Sequence, residues 1–267
     1  MSRERLDKLL VDRGYAASRE RARAMIMAGA VRVADRVVDK AGTLIAADAE
    51  ISVAGGDLPY VSRGGVKLAG ALDALAIDVA GRLVLDVGAS TGGFTDCVLQ
   101  RGARAVIAVD VGYGQLAWAL RNDPRVTVME RTNVRGLTAD AIGGPVDLVV
   151  ADLSFISLAT VLPALTACAS PGADIVPMVK PQFEVGKDRV GAGGVVSDPR
   201  LRAEAVLSVA RRAADLRWHA VAVTASPLPG PAGNVEYFLQ LRADTDHALP
   251  ADSLADAIRQ AVEEGPQ

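Results

Sequence analysis

Between residues 83 and 95 the chain reads Leu83-Val84-Leu85-Asp86-Val87-Gly88-Ala89-Ser90-Thr91-Gly92-Gly93-Phe94-Thr95. This order is typical of a buried strand, a glycine-rich turn and the start of a helix. Glycines let a backbone approach a ligand closely, and a helix N-terminus favours groups that accept hydrogen bonds from backbone N–H. The spacing Gly88-x-x-x-Gly92-Gly93 differs from the G-x-G-x-x-G fingerprint of dinucleotide sites. The stretch therefore predicts an α/β domain that holds a different ligand at this turn.

Two acids near the turn indicate what that ligand carries. Asp86 directly precedes the turn, and its carboxylate suits an amino-acid tail and a positive sulfonium better than a pyrophosphate. Asp110 ends the next strand, where an acid can accept hydrogen bonds from ribose hydroxyls. S-adenosylmethionine fits these acids better than NAD; a structural turn beside a surface acid is the alternative. The candidate cofactor residues are Asp86, Gly88, Ala89, Ser90, Thr91, Gly92, Gly93, Phe94, Asp110 and Val111.

Outward from this stretch, strands alternate with helices. Apolar runs predict strands at 83–87, 105–111, 126–129, 147–151, 174–179, 220–224 and 236–241. Helical segments fit at 95–101, 115–121, 158–169 and 201–216. The alternation predicts a doubly wound, mostly parallel, seven-stranded sheet over residues 60–267. The last two strands are expected to be antiparallel, since the link from Ser226 to Pro231 is too short and proline-rich for a crossover helix.

Residues 1–59 form a separate small α+β unit in this interpretation. Leu6, Leu9 and Leu10 share a helical face that Gly14 can end, and Ser18 can cap a second helix that closes at Gly29. Short strands follow at 31–33, 37–38 and 50–53, and Gly55, Gly56, Asp57, Leu58 and Pro59 make a linker.

The N-terminal unit carries a local basic excess. Residues 3–40 hold ten Lys or Arg against six acids, in a chain of net charge −3. Such a face attracts a phosphate backbone, although a solvated helix surface also explains the charge alone. The candidate RNA-binding residues are Arg3, Arg5, Arg19, Arg21, Arg23 and Lys40.

Polar residues at strand ends predict the chemistry, because open α/β sheets bind their ligands there. Asp152 and Lys180 each follow a strand, Glu236 opens the last one, and Lys67 lies between the linker and the first. Each alone is better explained as a surface charge. Asp152 also joins the cofactor set, together with Thr132 and Asn133, which can reach an adenine, and Phe155, which packs either on the cofactor or in the core.

Together these residues carry a family resemblance. The set Lys67, Asp152, Lys180 and Glu236 resembles the Lys-Asp-Lys-Glu tetrad of FtsJ-like ribose 2′-O-methyltransferases. Stretches 61–65, 86–95, 110–116, 152–157 and 180–184 look like the TlyA family over nearly the whole chain, and the N-terminal unit looks like the RNA-binding module of the ribosomal-protein-S-four type. The resemblance implies methylation of cytidine 2′-hydroxyls in ribosomal RNA. The start Arg3-Glu4-Arg5 is similar to members that act on both subunits.

A tetrad of this kind suits a weakly acidic ribose hydroxyl, which must be aligned with the methyl carbon and lose its proton. Lys180 is the candidate that holds or deprotonates the hydroxyl, and the choice between these two roles stays open. Lys67, Asp152 and Glu236 would position it and tune its charge. His219 and His247 fall outside every motif, so histidine catalysis is not expected.

The remaining features limit the function classes. The two cysteines, Cys97 and Cys168, have no partner at metal-ligand spacing, and no apolar signal run follows Met1, so we expect a cytoplasmic protein without a metal. Residues 153–173 carry no charge, but interrupting prolines and hydroxyl residues favour a loop and a buried helix over a membrane span. Two alternatives stay open: a membrane-damaging protein, since the TlyA family has also been called haemolysin, and an RNA-binding protein whose methyltransferase-like domain is inert. The glycine-rich, charged stretch 184–198 is either a loop that closes over RNA or an ordinary surface loop.

Overall fold

The computed structural model describes residues 3–13, 15–16, 18–34, 36–47, 49, 51–53, 59–244 and 246–266. Outside this part lie the predicted helix end at Gly14, the strand start at Glu50, and the linker residues Gly55, Gly56, Asp57 and Leu58.

The N-terminal unit is a pair of helices packed on short strands. Its elements are β1 (Arg3–Arg5), α1 (Leu6–Asp12), α2 (Arg19–Met27), β2 (Val31–Val33), β3 (Arg36–Val37), β4 (Leu44–Ala46) and β5 (Ile51–Val53). The Ser18 side chain accepts a hydrogen bond from the Arg21 N–H, which confirms the predicted cap. Strand β2 pairs with β3 and β5, while β1 pairs with β4, a pairing absent from the sequence prediction. The unit has its own core, which includes Leu6, Leu10, Ile26 and Val31.

A seven-stranded sheet forms the body of the larger unit. In chain order its strands are β6 (Leu83–Val87), β7 (Ala105–Val109), β8 (Val126–Met129), β9 (Val146–Ala151), β10 (Ala169–Val179), β11 (His219–Ala225) and β12 (Tyr237–Arg242). Their spatial order is β11-β12-β10-β9-β6-β7-β8. Strands β6 to β10 are parallel, and β12 runs antiparallel to both β10 and β11. The predicted fold class and the antiparallel last pair are confirmed.

Helices cover both faces of this sheet. They are α3 (Arg63–Ala74), α4 (Gly93–Gln100), α5 (Trp118–Arg121), α6 (Leu158–Cys168), α7 (Pro181–Glu184), α8 (Pro199–Asp215) and α9 (Ala251–Glu264). Helices α3, α4 and α5 pack on one face, and α6, α8 and α9 on the other. The prediction omitted α3, the short α7 and α9. The helix predicted at 115–121 was too long, because Ala117 is extended with a ψ of 138° and the helix begins only at Trp118.

The charge-free stretch 153–173 does not form one long helix. It divides into a loop, the 11 residues of α6 and the start of β10. Among the described residues, no helix has the length and apolar character needed to cross a membrane. The interpretation of this stretch as a loop followed by a buried helix is confirmed.

The strand directions bring the chemically interesting residues to one edge of the sheet. Parallel strands β6, β7, β9 and β10 end at this edge, just before Gly88, Asp110, Asp152 and Lys180. Strand β12 runs the other way, so it begins at the same edge, where Val179 pairs with Tyr237. Strand β12 begins at Tyr237, one residue later than predicted. Glu236 therefore directly precedes the strand and lies at the same edge.

Candidate active site

Two cavities adjoin at this edge of the sheet. The larger one has a volume of about 550 Å³ and lies beyond the ends of β6, β7 and β9. The smaller one, of about 280 Å³, lies between the glycine-rich turn, α3 and the starts of α7 and β12. Both cavities are lined by Gly88, Ser90, Asp152 and Ser154, so these four residues form the boundary between them.

The larger cavity is lined by most of the predicted ribose and adenine contacts. Asp110, Val111, Thr132, Asn133 and Phe155 all border it. The Asp110 carboxylate accepts hydrogen bonds from Ser90 N–H at 2.8 Å and Gly112 N–H at 2.6 Å, which fix its orientation. A carboxylate offers about four lone-pair sites, so two held N–H groups leave capacity for ligand hydroxyls.

The glycine-rich turn lies close to the chain that follows β9. Gly88 has a φ of +85°, and a Cβ there would lie 2.3 Å from the Asp152 carbonyl oxygen. A Cβ at Gly93 would lie 2.1 Å from Ser62 Oγ, so this glycine brings α4 close to the start of α3. Ser90 also adopts a left-handed φ of 48°, a conformation that concentrates at functional sites. Ala89, Thr91, Gly93 and Phe94 border the smaller cavity.

Two of the predicted cofactor residues, Asp86 and Gly92, lie outside both cavities. Asp86 is fully buried beneath the turn and accepts a hydrogen bond from Thr95 Oγ at 2.6 Å. Burial raises the pKa of Asp86 to about 7, and the nearby carboxylates of Asp152 and Asp110 add to the effect. Gly92 caps α4, where a Cβ would collide with Leu120 and Leu116. Neither Asp86 nor Gly92 borders either of these two cavities.

The smaller cavity brings together all four residues of the predicted tetrad. They form two ion pairs: Lys67 Nζ lies 2.5 Å from Glu236 Oε2, and Lys180 Nζ lies 2.6 Å from Asp152 Oδ1. Lys67, Lys180 and Glu236 are buried. Buried charges are costly unless paired, so the two pairs explain how four charged groups share one cavity.

Four elements position this tetrad. Lys67 projects from α3, Asp152 follows β9, Lys180 follows β10, and Glu236 precedes β12. The Glu236 carbonyl accepts a hydrogen bond from Ser226 N–H at 2.8 Å, which ties the start of β12 to the end of β11. Because β10 and β12 are paired neighbours, Lys180 and Glu236 lie at adjacent positions of the same edge.

Phe155 is not a core aromatic. Its side chain is 92% exposed at the mouth of the larger cavity, its φ is +63°, and its ring lies 5.3 Å from that of Phe183. Of the two predicted packings, the core alternative was therefore wrong, and contact with a ligand stays a prediction.

The smaller cavity has further walls that the sequence did not reveal. Ser62, Arg63 and Gly64 come from the start of α3, Pro231 from the proline-rich link, and Met27 and Ala28 from the end of α2. These residues are distant in sequence, and only packing brings them together. Ser154 was also missed, although a polar residue three positions beyond the β9 end was a usable signal.

The predicted RNA-binding arginines are partly organised by one acid. Asp7 is fully buried, and its carboxylate pairs with Arg5, Arg19 and Arg23 at 3.0–3.2 Å. The hydrogen bonds from these guanidiniums, of which that from Arg5 has the largest effect, hold the pKa of Asp7 well below its usual range. Three cations against one anion leave a fixed positive surface. Arg3 and Lys40 are exposed on the same unit, while Arg21 donates to the Tyr60 carbonyl.

The stretch 184–198 is anchored at both ends. Glu184 accepts hydrogen bonds from Ser157 Oγ at 2.6 Å and Leu158 N–H at 2.8 Å, and burial raises the pKa of this carboxyl. Asn234 accepts from Val196 N–H and donates to the Gly194 carbonyl. A small apolar cluster of Val185, Val196 and Ala205 lies beneath. These contacts support the surface-loop interpretation, and closure over RNA stays a prediction.

No group of three or more metal-ligating side chains occurs among the residues that the structure describes.

Comparison with known proteins gives a consistent result. The family described as FtsJ-like methyltransferase matches residues 60–243, and the S4 domain matches residues 4–51. The 16S/23S rRNA (cytidine-2′-O)-methyltransferase TlyA of Mycobacterium tuberculosis is 63% identical, over 99% of both chains. Hemolysin A of Brachyspira hyodysenteriae is 37% identical over 87% of this chain and 97% of its own. A hemolysin-named structure from Streptococcus thermophilus has a TM-score of 0.76 at 38% identity, covering 99% of this chain and 97% of its own.

Proposed function

The chain belongs to the TlyA family of FtsJ-like methyltransferases, and we propose that it methylates the ribose 2′-hydroxyl of cytidine in ribosomal RNA of both subunits, with S-adenosylmethionine as donor. The observation that carries this proposal is the pair of lysine–carboxylate contacts in the smaller cavity. This cavity adjoins the larger one, and Gly88, Ser90, Asp152 and Ser154 line both. Such an arrangement suits transfer between a cofactor on one side and a hydroxyl on the other.

The residues of the larger cavity fit S-adenosylmethionine. Gly88 lines this cavity, and its missing Cβ lets the turn lie against the Asp152 carbonyl, while the fixed Asp110 carboxylate suits ribose hydroxyls. Thr132 and Asn133 would meet the adenine, and Phe155 would cover an exposed side. When bound, S-adenosylmethionine supplies an electrophilic methyl group on a positively charged sulfur.

The tetrad would hold the nucleophile. Lys180 faces the smaller cavity and would bind the 2′-oxygen, while Asp152 fixes the lysine at the boundary. The Lys67–Glu236 pair would form the opposite wall and orient the ribose. Alignment of this kind converts an encounter into a directed reaction, and it can be worth several orders of magnitude in rate.

Replacement of Lys180 tests the catalytic assignment. We expect Lys180→Ala to lower the rate of methyl transfer to ribosomal subunits by about 100-fold or more, because alignment and proton-transfer help are both lost. Affinity for S-adenosylmethionine, measured by calorimetry, should stay within about twofold, since Lys180 does not border the larger cavity. Arg211→Ala is the control, because Arg211 is an exposed cation on α8 that borders neither cavity. Normal turnover by Lys180→Ala would contradict the tetrad assignment.

Replacement of Asp110 tests the cofactor assignment. Hydrogen bonds to a charged group are worth about 1.5–3 kcal/mol each, so Asp110→Ala should weaken S-adenosylmethionine binding by about tenfold or more. Asp140→Ala, at an exposed aspartate away from both cavities, is the control. Equal affinity in Asp110→Ala and the unaltered chain would show that the cofactor lies elsewhere.

We also propose a division of labour between the two units. Residues 1–59 would select and anchor RNA through Arg3, Arg5, Arg19, Arg21, Arg23 and Lys40, and residues 60–267 would perform the chemistry. The S4 match to residues 4–51 and the positive surface around Asp7 support this division. Phosphate contacts fix position without reading sequence, which suits structured RNA.

A further inference from the structure

Ser154 lies where the two cavities meet and contacts the tetrad directly. Its Oγ accepts a hydrogen bond from Lys180 Nζ at 3.0 Å. Ser154 lines both cavities, whereas Lys180 lines only the smaller one. The serine is exposed to the cavity space, so the core does not depend on its side chain.

The contact matters because of the geometry of a lysine head group. An ammonium has three N–H donors on a flexible stem, so a single partner leaves its position loosely defined. Lys180 Nζ has Asp152 Oδ1 at 2.6 Å and Ser154 Oγ at 3.0 Å. Two partners restrict the position of the nitrogen more than one does, and they leave its third N–H donor for another group. Within the described part of the chain, no residue takes that third position.

Both partners come from the segment that follows β9, two residues apart. The Asp152 N–H donates to the Val87 carbonyl at 3.0 Å, which ties this segment to the end of β6. Its carbonyl lies against Gly88, whose missing Cβ permits the close approach. The lysine partners are therefore held by the same backbone that forms the boundary between the cavities.

We propose that Ser154 is a positioning residue for methyl transfer: its hydroxyl, together with Asp152, holds Lys180 Nζ so that the third position faces the ribose 2′-oxygen. The role rests on the proposed function, because it presupposes transfer to a hydroxyl in the smaller cavity. It predicts a defect in turnover without a defect in cofactor binding, since a displacement of about 1 Å can cost 100-fold in rate.

The experiment compares Ser154→Ala with Ser154→Thr, which keeps the hydroxyl. Turnover on ribosomal subunits, the KM for subunits and S-adenosylmethionine affinity are measured for each. Ser154→Ala should lower kcat about 10- to 100-fold and leave the KM for subunits and the cofactor affinity within about twofold. Ser154→Thr should recover kcat to within about threefold of the unaltered chain. Ser253→Ala, the same change at an exposed serine on α9, should leave all three quantities unchanged.

Three results would overturn the role of Ser154. These are normal kcat in Ser154→Ala, equal impairment of the alanine and threonine variants, and a defect that appears in cofactor affinity instead of kcat. All of them require that the unaltered chain transfers methyl groups to ribosomal RNA. Absence of transfer by the unaltered chain would instead overturn the proposed function, and this role with it.

Discussion

At the residue scale, Asp86 shows how burial in the fold raises the pKa of an aspartate. Its carboxyl is fully buried and has Thr95 Oγ as a hydrogen-bond donor at 2.6 Å. Desolvation disfavours the charged form, and it raises the pKa of Asp86 from 3.8 to about 7. The unfolded chain releases this proton near pH 4, whereas the folded chain keeps it until near neutrality. Folding therefore becomes less favourable as pH rises through this window, and the penalty is constant above it.

Asp86→Asn should remove this pH dependence, because asparagine resembles the protonated acid in shape and never ionises. At pH 8 we expect the free energy of unfolding of the variant to exceed that of the unaltered chain by roughly a few kcal/mol. Near pH 4 the two should differ little. Urea unfolding at several pH values measures the difference. Asp140→Asn, at an exposed aspartate, is the control. Curves that stay parallel for Asp86→Asn and the unaltered chain would show that Asp86 ionises normally.

The residues that sequence could predict are those at strand ends. Gly88, Asp110, Asp152 and Lys180 each follow an apolar run, so their common edge follows from the parallel sheet alone. The sequence predicts less well whether such a side chain faces a cavity or the core. Asp86 and Gly92 belong to the glycine-rich motif, yet the first points into the core and the second packs on Leu116 and Leu120.

At the element scale, the glycine-rich turn connects β6 to α4 and lies against the segment that follows β9. A methyl group at Gly88 would meet two obstacles: a φ of +85° and the Asp152 carbonyl oxygen at 2.3 Å. That carbonyl is backbone and belongs to the segment that carries the partners of Lys180, so it cannot move without cost to the site.

Gly88→Ala and Gly81→Ala separate these two obstacles. Gly81 has a similar φ of +75° but no atom within 4 Å of its Cβ position. Gly81→Ala should lose only the conformational term, about 1–2 kcal/mol of folding stability. Gly88→Ala should lose about 1–3 kcal/mol more from the collision, and S-adenosylmethionine binding as well. Denaturant unfolding and calorimetry measure both quantities. Equal effects of the two substitutions would indicate that the turn tolerates a side chain.

Helices were harder to predict than strands, and α3 shows why. Its glycines lower helix propensity by about 1 kcal/mol each, so the local pattern is weak. Packing explains them: a Cβ at Gly65 would lie 2.4 Å from the Tyr60 side chain, and one at Gly70 would lie 2.8 Å from Pro227. Tertiary contacts thus maintain a helix that the sequence disfavours. Helix α9 was omitted although Leu254, Ile258 and Val262 recur at four-residue spacing, a usable helical signal.

At the scale of the whole molecule, the smaller cavity depends on both units. Met27 and Ala28 at the end of α2 line it, and Trp118 N–H donates to Glu20 Oε1 across the same junction. Residues 59–62, the connecting segment between the two units, are fixed to α4, because Gln100 donates to the Pro59 carbonyl and Asp96 accepts from Val61 N–H. None of this follows from local sequence patterns, which treat the two units separately.

The two units carry net charges of opposite sign. Residues 3–40 carry a balance of +4, but the acids Asp48, Glu50 and Asp57 reduce the net charge of residues 1–59 to +1, and residues 60–267 carry −4. A negative catalytic unit repels RNA over much of its surface, and the attraction must come from the N-terminal unit. The Asp7 carboxylate reduces this attraction by one charge, but it holds Arg5, Arg19 and Arg23 together.

Removal of residues 1–58 tests this division of charge. The deletion keeps Pro59, whose carbonyl accepts from Gln100, so the hydrogen bonds between the connecting segment and α4 survive. We expect S-adenosylmethionine affinity to stay within about twofold, because no residue before Val87 borders the larger cavity in the described part of the chain. Affinity for ribosomal subunits should fall steeply. The slope of log affinity against log salt should flatten by about 0.7–0.9 for each RNA phosphate that the shortened chain no longer neutralises.

The control for this deletion keeps the unit and removes part of its charge. Arg3→Gln with Lys40→Gln leaves the Asp7 cluster intact and should flatten the salt slope by the equivalent of about two phosphates at most, with a smaller decrease in affinity. A graded series from the unaltered chain through this double variant to the deletion would establish electrostatic anchoring by the N-terminal unit. If the deletion leaves both affinity and salt slope unchanged, RNA is held by the larger unit despite its negative charge. The basic excess would then be only a solvated surface.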